Sequence, residues 1–490
     1  SIINKKNQLN DTTLLDAEYK IYFSYRIALN GIALHTTQWV IDEISKLDYV
    51  KKIHDVVEVR INDDVSNHLI RADSVWYNLG VTGEGVLIAI IDTGIDSNHV
   101  ALNNGKVIGG YNVFNNNSNF FDDNGHGTHC AGIAAANGGG LTGVAPDASL
   151  LGVKVLSSAG SAPSYYIIAG IEYSLDPDEN PNTDDGADIL SMSLGGEGDP
   201  YDAMSVAVDN AVTNGVLCVV AAGNNGPNNY TIESPGCAKL ALTVGASDNN
   251  DNIASFSSRG PVYLTSDIKP DIVAPGVNIN SSIPDNNFGY KSGTSMATPH
   301  IVGAAALLKQ LHSDWTPEQI KASLMGTAFD IGAAIWSQGS GRVDVYKAAQ
   351  TNSILSPSSI NFGIVDNKIW TKSFNFKIFN YSDISQTYNV ILDSIPLGLE
   401  YTIEPNLINI NPNDSIQVVF TIVIDNLMFN IENQNFNVYT GKLFVKSELD
   451  TLHSIFLFNR PDNFLLYDTI PPILISPNNN EINTFNLNNS

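Results

Sequence analysis

The chain has 490 residues, enough for two or three domains, and its 43% apolar content permits a large core. With 25 basic against 51 acidic residues the formal net charge is −26, which argues against nucleic acid or an anionic membrane as a partner. A salt-rich habitat, cation binding and plain solubility all fit that charge.

Cys130, Cys218 and Cys237 are too few for a disulfide scaffold and read as buried small side chains, with a Cys218–Cys237 bridge left open. No apolar run reaches about 18 residues, so no membrane span is expected. The start carries neither an initiator methionine nor a signal peptide, so a trimmed or processed form is expected.

Residues 1–66 form the first expected segment. Tyr19 to Leu34 alternates, which predicts two short strands with a turn at Asn30-Gly31. Thr36 or Thr37 can cap a helix through Trp39, Val40, Ile41, Ile44 and Leu47. Val56 to Ile61 then reads as a strand, completing a small α+β unit.

Residues 71–351 alternate apolar strands with helices. Strands are expected at Val86–Asp92, Leu150–Leu156, Asp188–Leu194, Val216–Ala222 and Leu240–Val244. Helices are expected at Thr128–Ala136, Ser164–Ser174, Asp202–Asn214 and after Ser295. This alternation predicts an α/β fold with a parallel sheet covered on both faces, and ligands at the C-terminal ends of its strands.

In residues 354–468 helical patterns give way to alternating strands at Ser373–Phe379, Gln386–Leu392, Ile416–Ile424, Thr440–Val445 and Ile455–Phe458. An all-β sandwich is expected there. Residues 469–490, from the Pro471-Pro472 pair into an Asn-rich end, read as the start of a further domain or a disordered tail.

Four motifs in the middle domain carry chemistry. Ser295 lies among small residues just before the apolar run Ile301–Leu308, near a helix N-terminus where unpaired N–H groups stabilise developing negative charge. Pro299 is expected in the first turn or so, where a missing N–H costs least. Asp92 ends an apolar strand, His126 sits between Gly125 and Gly127, and Asn224 lies in Ala221-Ala222-Gly223-Asn224-Asn225-Gly226. Each has a bland reading alone: a helix cap, a strand-end cap, a structural histidine, a turn. The four together, in the order acid, histidine, asparagine, serine, do not.

At these motifs the sequence resembles the subtilisin-like serine proteases. The resemblance implies Ser295 as nucleophile, His126 as base, Asp92 orienting the imidazole, and Asn224 as an oxyanion donor beside the Ser295 N–H. His129 and His300 are expected to pack and hydrogen-bond structurally, and Asp96, Asp122 and Asp123 to be solvated or loop-stabilising. Ser191–Gly196 resembles the family's cleft-lining segment, so Ser193, Leu194, Gly195, Ala222 and Gly223 are expected to bind substrate as an added strand. Binding through the backbone predicts loose specificity, and no acidic or basic pocket floor is legible, so no charged residue is expected before the scissile bond.

Residues 1–66 resemble the second half of a subtilase inhibitory propeptide, cut near Ile61–Ile70, which would make the chain a zymogen with its own N-terminal segment as inhibitor. The stretch from Ser358 to Gly363 resembles a fibronectin-III-like domain. The chemistry requires no cofactor. Asp176, Asp178, Asn180, Asn182 and Asp184 offer alternating oxygens suited to structural Ca²⁺, with a merely solvated acidic loop as the alternative. The loop after the histidine helix, Asn137–Gly143, is shorter than the family's calcium loop. The expectation is a secreted or cell-surface, monomeric serine endopeptidase acting on polypeptides. Two rivals remain: a surface-binding or adhesion protein with an incidental or inactive protease domain, and a sedolisin-type acid protease, a family without a catalytic histidine motif.

Overall fold

The structure is a computed structural model and describes residues 20–25, 31–53, 65–180, 185–365, 369–425, 438–459, 473–475 and 482–484. The chain divides into two compact units, residues 1–60 and 61–490.

In the first unit, strands Lys20–Tyr25 and Gly31–His35 pair antiparallel, with Tyr25 opposite Gly31. Helix Gln38–Ser45 follows from Thr37, whose hydroxyl makes no capping bond. The Gln38 amide instead donates to Asp42 at 3.0 Å, a pair one helical turn apart. The strand expected over 56–61 lies outside the described residues.

The second unit is built on a seven-stranded sheet. Its strands are β1 (Leu87–Asp92), β2 (Val107–Asn112), β3 (Ser149–Lys154), β4 (Ile189–Met192), β5 (Leu217–Ala221), β6 (Leu242–Ser247) and β7 (Ile272–Pro275). They lie in the order β7-β6-β5-β4-β1-β3-β2, and every pairing is parallel. Strand alternation sends side chains to two covered faces. Ile88 and Ile90 pack with helices α1 (His126–Ala135) and α4 (Thr294–Leu311). Ala89 and Ile91 pack with α2 (Ser164–Leu175) and α3 (Ala203–Thr213).

The chain winds from β1 to one side of the sheet, then returns to β4 and continues on the other. The reversal leaves a crevice beyond the C-terminal ends of β1 and β4, the usual ligand position in such sheets.

Strand β2 was not foreseen, because Gly109 and Gly110 weaken its strand signal. Gly110 is required by packing: a Cβ there would lie 2.4 Å from the Phe120 ring. The packed unit also begins ahead of Arg71, the expected start of this domain. Ile70 is fully buried in the core, and its carbonyl accepts the Val345 N–H at 2.9 Å. All three cysteines are buried and free, so the Cys218–Cys237 bridge is not formed.

From Ser353 two mainly antiparallel sheets stack. One has four strands, ordered Ser353–Ser356, Ile369–Asn380, Asp414–Asp425, Leu399–Glu404. The other has five, ordered Ser359–Ile364, Thr451–Asn459, Val438–Lys446, Gln386–Leu392, Ile408–Ile410. Phe362, Phe376, Phe420 and Phe456 fill the space between them, with Phe362 and Phe420 edge-to-face at 5.2 Å.

Strand Thr451–Asn459 is buried on both sides. Phe456 and Phe458 point into the sandwich, while Ile455 and Leu457 pack on Ile268 and Trp336 of the α/β layer. His453 Nε2 donates to the Ser340 carbonyl at 3.0 Å across the same seam.

Candidate active site

β1 ends at Asp92, and its C-terminal edge meets the start of α1, which delivers His126. The two elements approach closely because Gly127 has no side chain: a Cβ there would sit 2.1 Å from the Gly94 carbonyl. His126 Nδ1 lies 2.8 and 2.9 Å from the two Asp92 carboxylate oxygens. Asp92 keeps 1% of its side-chain exposure and His126 24%, so the carboxylate is shielded while the ring reaches the crevice.

The imidazole is set by opposing effects. Burial lowers its pKa, but the Asp92 charge, the Cys130 sulfur and the Asp92 hydrogen bond outweigh burial and hold it well above the ordinary histidine value.

Asp122 anchors this half of the site. Its carboxylate accepts from Thr93 Oγ1 at 2.8 Å, Gly125 N at 2.8 Å, Thr128 N at 2.8 Å and Thr128 Oγ1 at 2.6 Å. Burial would raise its pKa, yet these bonds hold it below the usual carboxylate value, leaving a negative charge at the N-terminus of α1. This is the loop-stabilising role expected of it. Asp123 pairs with Lys154 at 2.6 Å. His129 Nε2 donates to the Gly289 carbonyl at 3.0 Å. His300 Nδ1 donates to the Met296 carbonyl at 2.8 Å. Burial lowers both imidazoles, His129 to about 3 and His300 to about 4.

Ser295 is the second residue of α4. Its hydroxyl donates to the Ser193 carbonyl at 3.1 Å, beyond the end of β4. Pro299 lies in the second turn and cannot donate to the Ser295 carbonyl four residues back. That carbonyl instead accepts from Ser193 Oγ at 2.9 Å and Cys130 Sγ at 3.5 Å. Cys130 Sγ also lies 4.0 Å from His126 Nδ1, so the buried thiol touches both halves of the site.

Asn224 follows β5, and its Oδ1 accepts the Thr294 N–H at 2.9 Å. With the oxygen so engaged, the amide nitrogen is left as a donor.

His126, Asn224 and Ser295 line one cavity of about 510 Å³, which Ser193, Leu194, Gly195 and Gly223 also border. Ala222, expected among them, is buried and faces away. Ala221 borders the cavity instead, as strand alternation requires. Glu233 and Glu197 line it too. Sequence reading did not single out either acid, because Glu233 enters from a loop nine positions beyond Asn224 and only folding brings it there.

This arrangement supplies a base oriented by a carboxylate, a hydroxyl at a helix N-terminus, and an amide donor facing the same space. Those are the parts acyl transfer needs.

Apart from Asp92, His126 and Cys130, one other group of potential metal donors converges among the described residues: Asp176, Asp178 and Asp185, with one oxygen of each within 4.8 Å of the others. Asp176 and Asp178 both accept the Asn180 N–H at 2.9 Å, so Asn180 contributes its backbone here. Asn182 and Asp184 lie outside the described residues. Desolvation raises the Asp185 pKa, and the neighbouring charges of Asp178 and Asp176 push the same way.

A sequence model of the Subtilase family matches residues 83–359. The chain is 41% identical over 312 residues to Serine protease AprX of Bacillus subtilis, covering 57% of this chain and 70% of that protein. It is 40% identical over 286 residues to Subtilisin DY of Bacillus licheniformis, covering 58% of this chain and 97% of that protein. It is 31% identical to Minor extracellular protease Vpr of Bacillus subtilis, covering 69% of this chain and 60% of that protein.

Proposed function

We propose that this chain, which belongs to the subtilase family and is a subtilisin-like serine endopeptidase acting on polypeptides, works through Asp92, His126, Ser295 and Asn224. One observation carries the assignment: His126 is hydrogen-bonded to Asp92 at 2.8 Å and shares a cavity with Ser295 and Asn224.

In this mechanism the Ser295 hydroxyl leaves the Ser193 carbonyl and turns to His126 Nε2, which takes its proton as the oxygen attacks the scissile carbonyl. Asp92 stabilises the imidazolium. The oxyanion is met by the Asn224 amide and the Ser295 N–H at the start of α4. His126 then protonates the leaving amine, and water repeats the cycle on the acyl-enzyme. The raised imidazole pKa means the base form is lost earlier, as pH falls, than in a free histidine, so the reaction favours the alkaline side, unlike a sedolisin-type acid protease.

Residues 1–60 act as an inhibitory propeptide, a reading supported by two strands and a helix in a separate compact unit. Because Ile70 is a core residue, the maturation cut falls before Val65. The catalytic domain extends from about residue 65 to 351, and the sandwich from 354 is of fibronectin-III-like type. Release from the cell is supported by the likeness to a protease named as extracellular. The enzyme works as a monomer. Asp176, Asp178 and Asp185 hold a structural Ca²⁺, a reading supported by their crowded like charges. A chelator that left the melting temperature unchanged would rule this ion out.

The direct test is labelling with a fluorophosphonate probe and mass mapping, with residues 1–60 retained and removed. Label on Ser295 only after removal supports both nucleophile and zymogen. Label in both forms defeats the zymogen reading. Absence of label in both defeats the triad and favours a binding protein with an inactive protease domain.

A further inference from the structure

The cavity beside Ser295 runs between two backbone walls, Ser193–Gly196 and Ala221–Asn224, and Glu233 lies between them. Both walls are glycine where they meet this acid. A Cβ on Gly195 would lie 2.5 Å from Glu233 Oε2, and one on Gly223 2.6 Å from its Cδ. The carboxylate therefore fills the space that two missing side chains leave. Its position is held by the chain: the Glu233 N–H donates to the Ala222 carbonyl at 3.1 Å, and Asn225 Nδ2 donates to Oε1 at 2.6 Å.

Among the described residues no lysine or arginine lines the cavity, and Glu197 adds a second, exposed carboxylate at its rim. A half-buried carboxylate with no cation beside it is electrostatically incomplete.

Resting on the reading of Ser295 and Asn224 as the reacting centre, we infer that Glu233 selects substrates with lysine or arginine immediately before the scissile bond. The residue whose carbonyl sits between Ser295 and the Asn224 amide is the one whose side chain enters between the glycine walls. A guanidinium or ammonium there meets Oε2, while its methylene stem lies along the Gly195 and Gly223 backbone. Glu233 is a specificity residue and takes no part in bond making. Burial raises its pKa, so the selection weakens as acid protonates the carboxylate. Loose specificity, the expectation from sequence, is replaced by a preference for basic residues.

The test compares kcat/KM for peptide amides differing only in that residue: arginine, lysine, phenylalanine and leucine. The expected result is a preference of about tenfold or more for the basic pair, the worth of one charge-assisted hydrogen bond. Glu233→Gln keeps the shape and the Asn225 contact, and should lower the arginine-to-phenylalanine ratio at least tenfold. Should that variant fail to fold, the wild-type protein decides alone, through inhibition by a peptide argininal against the matching phenylalaninal. Faster turnover of phenylalanine peptides, with tighter phenylalaninal binding, overturns the role of Glu233 and leaves the peptidase reading intact. Failure to cleave any of the four, with Ser295 unlabelled by fluorophosphonate, overturns the peptidase reading and this inference with it.

Discussion

The α/β layer and the sandwich solve burial differently. The sandwich core is large aliphatic and aromatic side chains between two sheets, Trp370, Tyr388 and Tyr439 among them. The α/β layer is packed with small residues, so that α4 runs Gly303-Ala304-Ala305-Ala306 through the centre. That economy lets backbones approach and leaves room for buried polar groups. Asp92, Asp122, His129, Lys269, Asp271 and His300 all lie inside it. Lys269 and Lys321 converge on Asp271 at 2.7 and 3.2 Å, so even its buried charges are compensated. The contrast teaches where chemistry can reside: in the region that bears the cost of burying dipoles and charges, at the ends of strands, and not in the region with the larger hydrophobic side chains.

If that division holds, the largest effect comes from the polar constellation. Ser295→Ala should lower kcat by about 10⁴-fold or more, and Asn224→Ala by about 10²–10³-fold, with the unfolding midpoint little changed. Turnover unchanged in either variant would break the assignment. Phe420→Ala should do the reverse. Phe420 is fully buried against Phe362 and Phe456, so its truncation costs about 3–5 kcal/mol in urea unfolding. If the same substitution slowed Ser295 labelling in protein still folded, the two regions would be one functional body.

The smallest effect is at the seam. Burial lowers the His453 imidazole to about 4, against about 6.5 in an unfolded chain. A folded value below the unfolded one gives stability that is whole above pH 6.5 and is lost as pH falls toward 4. Between pH 7 and 5 the loss should be about 1–2 kcal/mol, and His453→Gln should flatten it. Identical melting curves for both proteins at pH 5 would remove His453 from the account.

The residues of the candidate site stood out because each has a local signature. Asp92 ends a run of apolar residues, His126 is flanked by glycines, and Ser295 precedes a long helix of small residues. The parallel sheet followed from strands alternating with helices. What sequence reading missed depends on distant neighbours. β2 is held by pairing with β3 despite its two glycines. Pro299 sits in the second turn because Ser193 and Cys130 replace the bond it cannot make. Ala222 is buried and turned from the cavity because alternation along the strand gives that side to Ala221. Glu233 carries no motif at all. Sandwich strands were found but trimmed: Ile369–Asn380 runs longer than the expected Ser373–Phe379, because pairing with Asp414–Asp425 along a twelve-residue ladder carries it past Thr371 and Lys372 to Ile369 and out to Asn380.

Strand Thr451–Asn459 has no wet face. In mechanical terms it is a shared seam, since a pull along it must shear apolar contact on Phe456 and on Leu457 at the same moment. Cutting the chain ahead of the sandwich would therefore do more than shorten the molecule. It would strip one wall from the layer that carries Ser295, and turn Ile268 and Trp336 into surface.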